Sequence, residues 1–267
     1  MSILDDIVRN KREEVASNKN KIAPSDLRNG EFFNRSPISL KTALQDTAPF
    51  GIIAEIKRSS PSAGTIKPTL RPDIIAAAYQ QNGAAGISVL TDQKFFGGNI
   101  ADVTNVRRAV TIPVLRKEFI IDEYQILESK SHGADAVLLI AAILERPQIA
   151  ELFSAASEIG IECLVELYEP SELDRIDFDK MKLIGVNNRN LKTLEVDVSR
   201  SIEMLARLPK DVTVVSESGI HSVNDLRRLK EAGIHCALIG EYFMKSPDPG
   251  NTLREMLEQV TLQIQGN

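Results

Sequence analysis

The chain has 267 residues, 43% hydrophobic and 26% charged, with a formal net charge of −5 at neutral pH. That length fits one large α/β domain, and the acidic balance gives no bulk attraction to nucleic acid or to an anionic membrane. No apolar run approaches the roughly 20 residues of a bilayer span, and the acidic opening Met1-Ser2-Ile3-Leu4-Asp5-Asp6 lacks the apolar centre of a secretory leader; a cytoplasmic protein is expected.

In chain order, residues 3–18 read as a helix. Ile3, Leu4, Ile7, Val8 and Val15 form a partial apolar stripe, and Arg9, Lys11, Arg12, Glu13 and Glu14 cover the rest. The stretch 21–49 is interrupted by Pro24, Pro37 and Pro49, with short helices expected at 24–27 and 39–44. Residues 1–49 therefore read as an N-terminal helical extension packed on the main domain, which begins at residue 50. The stripe suggests that the first helix lies near the site and covers it, and that a chain lacking residues 1–45 still folds.

The run Gly51-Ile52-Ile53-Ala54-Glu55-Ile56-Lys57-Arg58-Ser59-Ser60-Pro61-Ser62 begins as a buried strand and turns polar. Glu55 and Lys57 are two apart and share a strand face, and a Ser-Ser-Pro-Ser turn follows. Alone, such a pair reads as an exposed salt bridge of little energetic worth. What changes the reading is repetition. Strand-like runs recur at 52–56, 86–90, 113–116, 136–140, 163–167, 183–187, 213–216 and 237–240, with helical stretches at 72–81, 100–109, 122–131, 146–159, 170–176, 198–208, 223–232 and 252–264. A glycine stands where several of these helices end, at Gly83, Gly133, Gly160 and Gly233, as a left-handed C-cap requires. Eight βα units with near-continuous apolar strands predict a (β/α)8 barrel. The alternative, an open doubly wound sheet, usually has fewer units and a GxGxxG first turn, which is absent.

In a barrel, chemistry gathers at the C-terminal strand ends. There the sequence places Glu55 and Lys57, Thr91-Asp92, Arg116-Lys117-Glu118-Phe119, Glu166 with Tyr168 beyond it, Asn187-Asn188-Arg189, Ser216-Glu217-Ser218-Gly219 and Ile239-Gly240-Glu241. The fourth strand ends apolar, at Leu138-Leu139-Ile140. So many charged ends converging on one rim read as an active site. Ser218-Gly219 and Gly240, after strands seven and eight, offer backbone N–H groups where barrels bind phosphate. Cys163 and Cys236, without CxxC spacing, read as buried thiols in a reducing compartment. The histidines His132, His221 and His235 stand at helix ends or in loops and form no ligand cluster, so capping or surface roles are expected and no metal.

Several of these stretches resemble the indole-3-glycerol-phosphate synthase family: Glu55-Ile56-Lys57-Arg58-Ser59-Ser60-Pro61-Ser62, Val114-Leu115-Arg116-Lys117-Glu118-Phe119-Ile120, Leu164-Val165-Glu166, Ile184-Gly185-Val186-Asn187-Asn188-Arg189-Asn190-Leu191, Ser216-Glu217-Ser218-Gly219-Ile220 and Leu238-Ile239-Gly240-Glu241. The resemblance runs nearly the full length, and its last two motifs are shared with many phosphate barrels. Two positions depart from the family's usual residues: Glu118 stands where Asp is usual, and Leu167-Tyr168 where Val-His is frequent. The resemblance implies a decarboxylating ring closure of 1-(2-carboxyphenylamino)-1-deoxyribulose 5-phosphate to indole-3-glycerol phosphate, in tryptophan biosynthesis. It implies no cofactor; the substrate is a small phosphorylated molecule, and oligomeric state is left open, a monomer being expected. By resemblance Lys117 is the general acid, Glu166 takes a proton, and Glu55 and Lys57 position or share transfer. Asn187 holds the intermediate, and Arg189 or Lys57 pairs with the substrate carboxylate. Ser60, Gly219, Gly240 and Glu241 cradle phosphate with Ser218 and Glu217 nearby, and Ile239 is a further substrate-binding position. Phe95, Phe119, Leu138 and Leu139 are candidate walls for the aromatic ring, or simply core. Two other readings are a sugar-phosphate isomerase or epimerase barrel, which has less use for two lysines at the mouth, and a non-catalytic barrel that binds a phosphorylated ligand or a partner enzyme.

Overall fold

The computed structural model describes residues 3–61, 64–67, 69–190, 193 and 195–265; Ser62 and Leu191 of the motifs above lie outside them. The apolar runs form eight parallel strands: β1 (Gly51–Ile56), β2 (Gly86–Leu90), β3 (Val114–Lys117), β4 (Ala136–Ile140), β5 (Glu162–Leu167), β6 (Leu183–Asn187), β7 (Thr213–Glu217) and β8 (Cys236–Ile239). They pair in sequence order, and β8 closes on β1. The architecture is the (β/α)8 barrel that the repeat predicts. Differences lie at element ends. The last strand stops at Ile239 because Gly240 turns the chain into a short helix, Glu241–Met244. The stretch expected as a helix over 170–176 is a 3-10 turn, Pro170–Arg175, too short to continue as α-helix.

The strands are buried on both faces because helices wrap the outside. Outward residues such as Ile52, Val137, Val165, Ile184 and Val214 pack on those helices. Inward residues Ile53, Leu115, Leu138, Leu164, Val215 and Leu238 fill the barrel interior, as side chains of alternating direction must. The residues before β1 supply three helices, α1 (Ile3–Lys21), α2 (Pro24–Arg28) and α3 (Leu40–Asp46). The crossover helices include α4 (Pro72–Gln81), α5 (Ile100–Ala109), α6 (Glu123–Ser131), α7 (Arg146–Glu158), α8 (Ser199–Leu205), α9 (Val223–Glu231) and α10 (Pro249–Gln265). Gly83 and Gly133 follow α4 and α6 with φ of 95° and 93°, the left-handed turn inferred from their position. Among the described residues, no helix is long and apolar enough to cross a membrane. Cys163 and Cys236 are buried free thiols.

The segment before β1 runs from one end of the barrel to the other. In α1, Ile7 and Val15 are buried, and Ile3, Leu4 and Ile7 face the cavity at the strand C-termini. Ile3 is 37% exposed, so the stripe covers the site incompletely. Next, α2 packs Leu27 with Val15 and Tyr124. Then α3 plugs the opposite end of the barrel. Ser39 caps it by accepting from Thr42 N at 3.0 Å and donates to Glu162 Oε1 at 2.6 Å. Leu40 and Leu44 are fully buried in the inner core with Ile53 and Cys236.

This plug argues against the expectation that residues 1–45 are dispensable for folding, since removing them uncovers the barrel floor. Leu44→Ala is predicted to cost about 2–5 kcal/mol, read as a shift in the urea midpoint at unchanged m-value.

Candidate active site

The site follows from the strand period. On most strands the inward residue is succeeded two positions later, on the same face and nearer the C-terminal end, by a functional group; on β4, Leu138 leads instead to the apolar Ile140. Ile53 leads to Glu55 and Lys57, Leu115 to Lys117, Leu164 to Glu166, Gly185 to Asn187, Val215 to Glu217 and Leu238 to Gly240. The barrel therefore has an apolar lower layer and a charged upper one. The upper layer opens on a cavity of about 170 Å³.

The centre of the upper layer is the Lys117 ammonium. Its Nζ lies 2.9 Å from Glu217 Oε2, 3.6 Å from Glu166 Oε2 and 3.9 Å from Glu55 Oε2. Glu55 also bridges to the second lysine, its Oε1 being 2.9 Å from Lys57 Nζ. Asn187 Nδ2 donates to Glu166 Oε1 at 3.0 Å, and Arg189 N donates back to Asn187 Oδ1 at 3.0 Å. Burial opposes the charge on Lys117, but Glu217, Glu166 and Glu55 outweigh it and hold the pKa above the ordinary lysine value. Burial likewise works against the Glu55 carboxylate, yet Lys57 and Lys117 keep its pKa below the ordinary value. Glu217 behaves differently. Burial, with Glu166 and Glu55 nearby, outweighs Lys117 and pushes it up to about 7. Oε1 of Glu217 has no hydrogen-bond partner among the described residues. Its contact with Lys117 is an ion pair at close range without hydrogen-bond alignment.

Two glycines make this layer fit. A Cβ at Gly185 would stand 2.1 Å from Glu217 Oε1, and one at Gly240 would stand 2.6 Å from Glu55 Oε1 and 2.9 Å from its Cβ. From sequence, Gly240 is expected only to let backbone approach an anion. In the structure it also makes room for the Glu55 side chain.

Toward the mouth the cavity is lined by Ser60, Ser218, Gly219, Gly240 and Glu241, residues read as a phosphate cradle and its surroundings, together with Ile239 and with Arg189, read as a partner of the substrate carboxylate. Ser218 and Gly219 both have positive φ, 68° and 74°, and Ser218 O accepts from Asn188 Nδ2 at 3.1 Å. Asn188 is locked in turn by Ser201 and Ser216, so a costly serine conformation is held by a buried network. Arg189 Nη2 is 3.8 Å from Glu241 Oε2, and Glu241 Oε1 is 2.6 Å from Lys245 Nζ.

On the other side Leu90, Phe96, Phe119, Leu138 and Ile140 form an apolar wall, with the Phe96 and Phe119 rings 6.0 Å apart. Of the expected wall residues, Phe119 and Leu138 line the cavity. Phe95 and Leu139 do not: Phe95 lies under the Lys94 ammonium, and Leu139 packs outward on the helices. Three other placements differ from the sequence reading. Glu217 is buried against Lys117 and is not part of the cavity lining beside Ser218. Arg116 points outward between strand and helix, 2.8 Å from Glu128 and donating to the Gln125 carbonyl at 3.0 Å. Asp92 is buried against Lys11 of α1. His221 is exposed at the mouth and its backbone N–H donates to Asp225 Oδ2 beside the cap of α9, in keeping with the surface or capping role expected from sequence. Leu90 and Ile140 escape the sequence reading although strand alternation reaches them; Phe96 over Phe95 is decided by a one-turn helix whose phase the sequence does not show.

A closed (β/α)8 barrel with lysines and carboxylates at its strand C-termini, and glycines in the loops after β7 and β8, is an enzyme architecture for a small substrate. The family model described as Indole-3-glycerol phosphate synthase matches residues 4–256. The protein of that name from Bacteroides thetaiotaomicron is 46% identical over 97% of this chain and 98% of its own length. The one from Salinibacter ruber is 44% identical over 96% and 95%. The chain belongs to the indole-3-glycerol phosphate synthase family. At the level of fold alone it is similar to 3-hexulose-6-phosphate synthase from Salmonella typhimurium, with a TM-score of 0.62 and 14% identity over 80% of this chain and 99% of that one. Tryptophan synthase subunit alpha from Legionella pneumophila gives the same TM-score, at 12% identity over 84% and 98%.

Two outcomes follow from this geometry. The folded Glu217 pKa, about 7, exceeds its ordinary 4.5, so the folded state holds more protons than the unfolded one between those values and loses stability as pH rises through them. Glu217→Gln is therefore expected to gain Tm relative to the parent between pH 5 and pH 8; a constant difference across that range would contradict it. Gly240→Ala is expected to push Glu55 aside and lower kcat by up to about 100-fold while competitive inhibition by inorganic phosphate is nearly retained. Weakened phosphate inhibition at unchanged kcat would return Gly240 to the anion site alone.

Proposed function

We propose that this family's decarboxylating ring closure is carried out in the cavity with Lys117 as general acid, the supporting observation being its ammonium among Glu55, Glu166 and Glu217. The substrate is 1-(2-carboxyphenylamino)-1-deoxyribulose 5-phosphate. Its ring carbon bearing the carboxylate attacks the ketone carbon, and negative charge grows on the ketone oxygen. Lys117 donates a proton there as the carbon–carbon bond forms. Loss of carbon dioxide restores the aromatic ring, and the new hydroxyl then leaves as water. Glu166, steadied by Asn187, takes the proton released as the five-membered ring becomes aromatic. Glu55 contacts both lysines through its two oxygens, so it can pass a proton from one to the other. Lys57 and Arg189 supply positive charge for the substrate carboxylate, and Asn187 holds the polar intermediate.

The phosphate sits between the loops after β7 and β8. Backbone N–H groups at Gly219, Gly240 and Glu241 receive it, with Ser60, Ser218 and Ile239 completing the cradle. The aromatic ring lies against Phe119, Phe96 and Leu138. Glu217 is removed from the phosphate end and assigned to Lys117, where its proton balance sets how strongly that ammonium is held. The direct test is incubation with the anthranilate-linked ribulose phosphate, read by indole absorbance; no product from the full chain would end this reading.

The two lysines are separable. Lys117→Met keeps the length of the side chain and removes its proton and charge. Single-turnover kcat is expected to fall by about 10²–10⁴-fold with substrate Kd little changed. Lys57→Met is expected to weaken Kd and kcat together. A Lys117→Met enzyme within about tenfold of the parent kcat would move the acid role to Lys57.

A further inference from the structure

Lys11 is the one basic residue of α1 that is wholly buried: no part of its side chain is exposed. Its Nζ is 3.0 Å from Glu14 Oε2, 3.1 Å from Asp92 Oδ2 and 3.0 Å from Glu118 Oε1. A buried ammonium persists only when it is paired this fully. Burial opposes its charge, but Glu118, Asp92 and Glu14 outweigh it and raise its pKa.

The role of the cation follows from what its partners are attached to. Glu14 belongs to α1 itself. Asp92 follows β2, and its Oδ1 accepts from Phe95 N at 2.8 Å, capping the short helix Gln93–Phe96. Glu118 directly follows Lys117; its Oε1 accepts from Phe119 N at 2.8 Å and its Oε2 from Thr91 Oγ1 at 2.7 Å. Lys11 thus ties together the two loops that carry Phe96 and Phe119, whose rings meet at 6.0 Å in the cavity wall. Ile7, one turn before Lys11 on the same helix face, lines the same cavity with Ile3 and Leu4. The later half of α1 has other anchors: Val15 packs with Leu27 and Tyr124, Lys19 pairs with Asp122 at 2.7 Å, and Tyr124 Oη donates to Asn18 O at 3.2 Å. Lys11 joins the earlier half, which forms the roof, to the barrel, with the exposed Lys94–Asn10 hydrogen bond beside it.

We propose that Lys11 is a positioning residue for the ring-binding end of the cavity: by bridging Asp92 and Glu118 it sets the roof of α1 and the Phe96–Phe119 wall at the spacing that grips the substrate's aromatic ring. This rests on the placement of that ring in the preceding section. The phosphate end, formed by other loops, is independent of it.

The test uses full-length Lys11→Met. KM for the anthranilate-linked substrate rises by about tenfold or more, inhibition by added anthranilate weakens in parallel, kcat changes less than KM, and inhibition by inorganic phosphate stays within about twofold. Hydrogen exchange accelerates at residues 3–14 while 15–21 keep their protection. An unchanged KM, or equal weakening of anthranilate and phosphate inhibition, overturns the proposal. If Lys11→Met does not fold, Lys11→Met/Glu118→Gln, which removes opposite charges together, carries the same readouts; failure of both to fold assigns Lys11 a structural role and overturns positioning. If the parent protein forms no indole product, the functional reading fails and exchange alone judges the latch: lost protection at 3–14 supports it, and retained protection ends it.

Discussion

The Lys117 ammonium beneath the mouth is the interaction on which the other features of the barrel depend. Three carboxylates surround it, and a second cation, Lys57, reaches the same Glu55. Inside that layer negative charge exceeds positive, and one carboxylate, Glu217, is pushed toward neutrality by burial. Such a cluster is costly to fold around. It survives because the apolar layer directly below it, from Ile53 to Leu238, gives the barrel its stability without help from the charges. An ammonium held this way keeps its proton in the resting site. In the proposed reaction it would give that proton up to the ketone oxygen as negative charge develops there.

The segment before β1 closes the barrel twice. At the floor, α3 inserts Leu40 and Leu44, and Asp135 at the start of β4 gathers Arg35, Arg107 and the Ile38 amide around itself. At the mouth, α1 lays Ile7 over the cavity and sends Lys11 into a pair of carboxylates. The two closures differ in kind. Leucines in a packed floor contribute area burial and tolerate no gap. A cation between loops fixes distances while leaving a surface that substrate can enter.

Most of this is legible in the sequence because a barrel strand has a period of two. Once Ile53, Leu115 and Leu164 are taken as inward, Glu55, Lys117 and Glu166 must face inward too, and the eight βα units tell which strand ends meet. Sequence reading fails where a neighbour along the chain is mistaken for a neighbour in space. Glu217 groups by position with Ser218-Gly219, which follow it, although alternation from Val215 already aims it at Lys117. Arg116 counts by position as a rim charge, yet it alternates with Lys117 and so must point outward to Glu128. Asp92 and Glu118 read as mouth charges; nothing in their own strands reveals that Lys11, more than 80 residues earlier than Asp92, lies between them. Such a long-range pairing has no local pattern.

Gly185 and Gly240 show why the functional layer is assembled from neighbouring strands. Asn187 is in register with Glu217, and Gly185 lies two residues before Asn187 on the inner face. Leaving that inner position empty lets the Glu217 carboxylate lean across β6 toward Lys117. Gly240 likewise follows β8, the partner of β1, and leaves room for Glu55. A barrel interior is otherwise filled to close packing, so a long carboxylate can cross toward the centre only where an adjacent strand gives up a side chain. The two glycines thus determine where two of the three carboxylates stand, and their lack of a Cβ matters here for space rather than for φ, since neither takes a left-handed conformation.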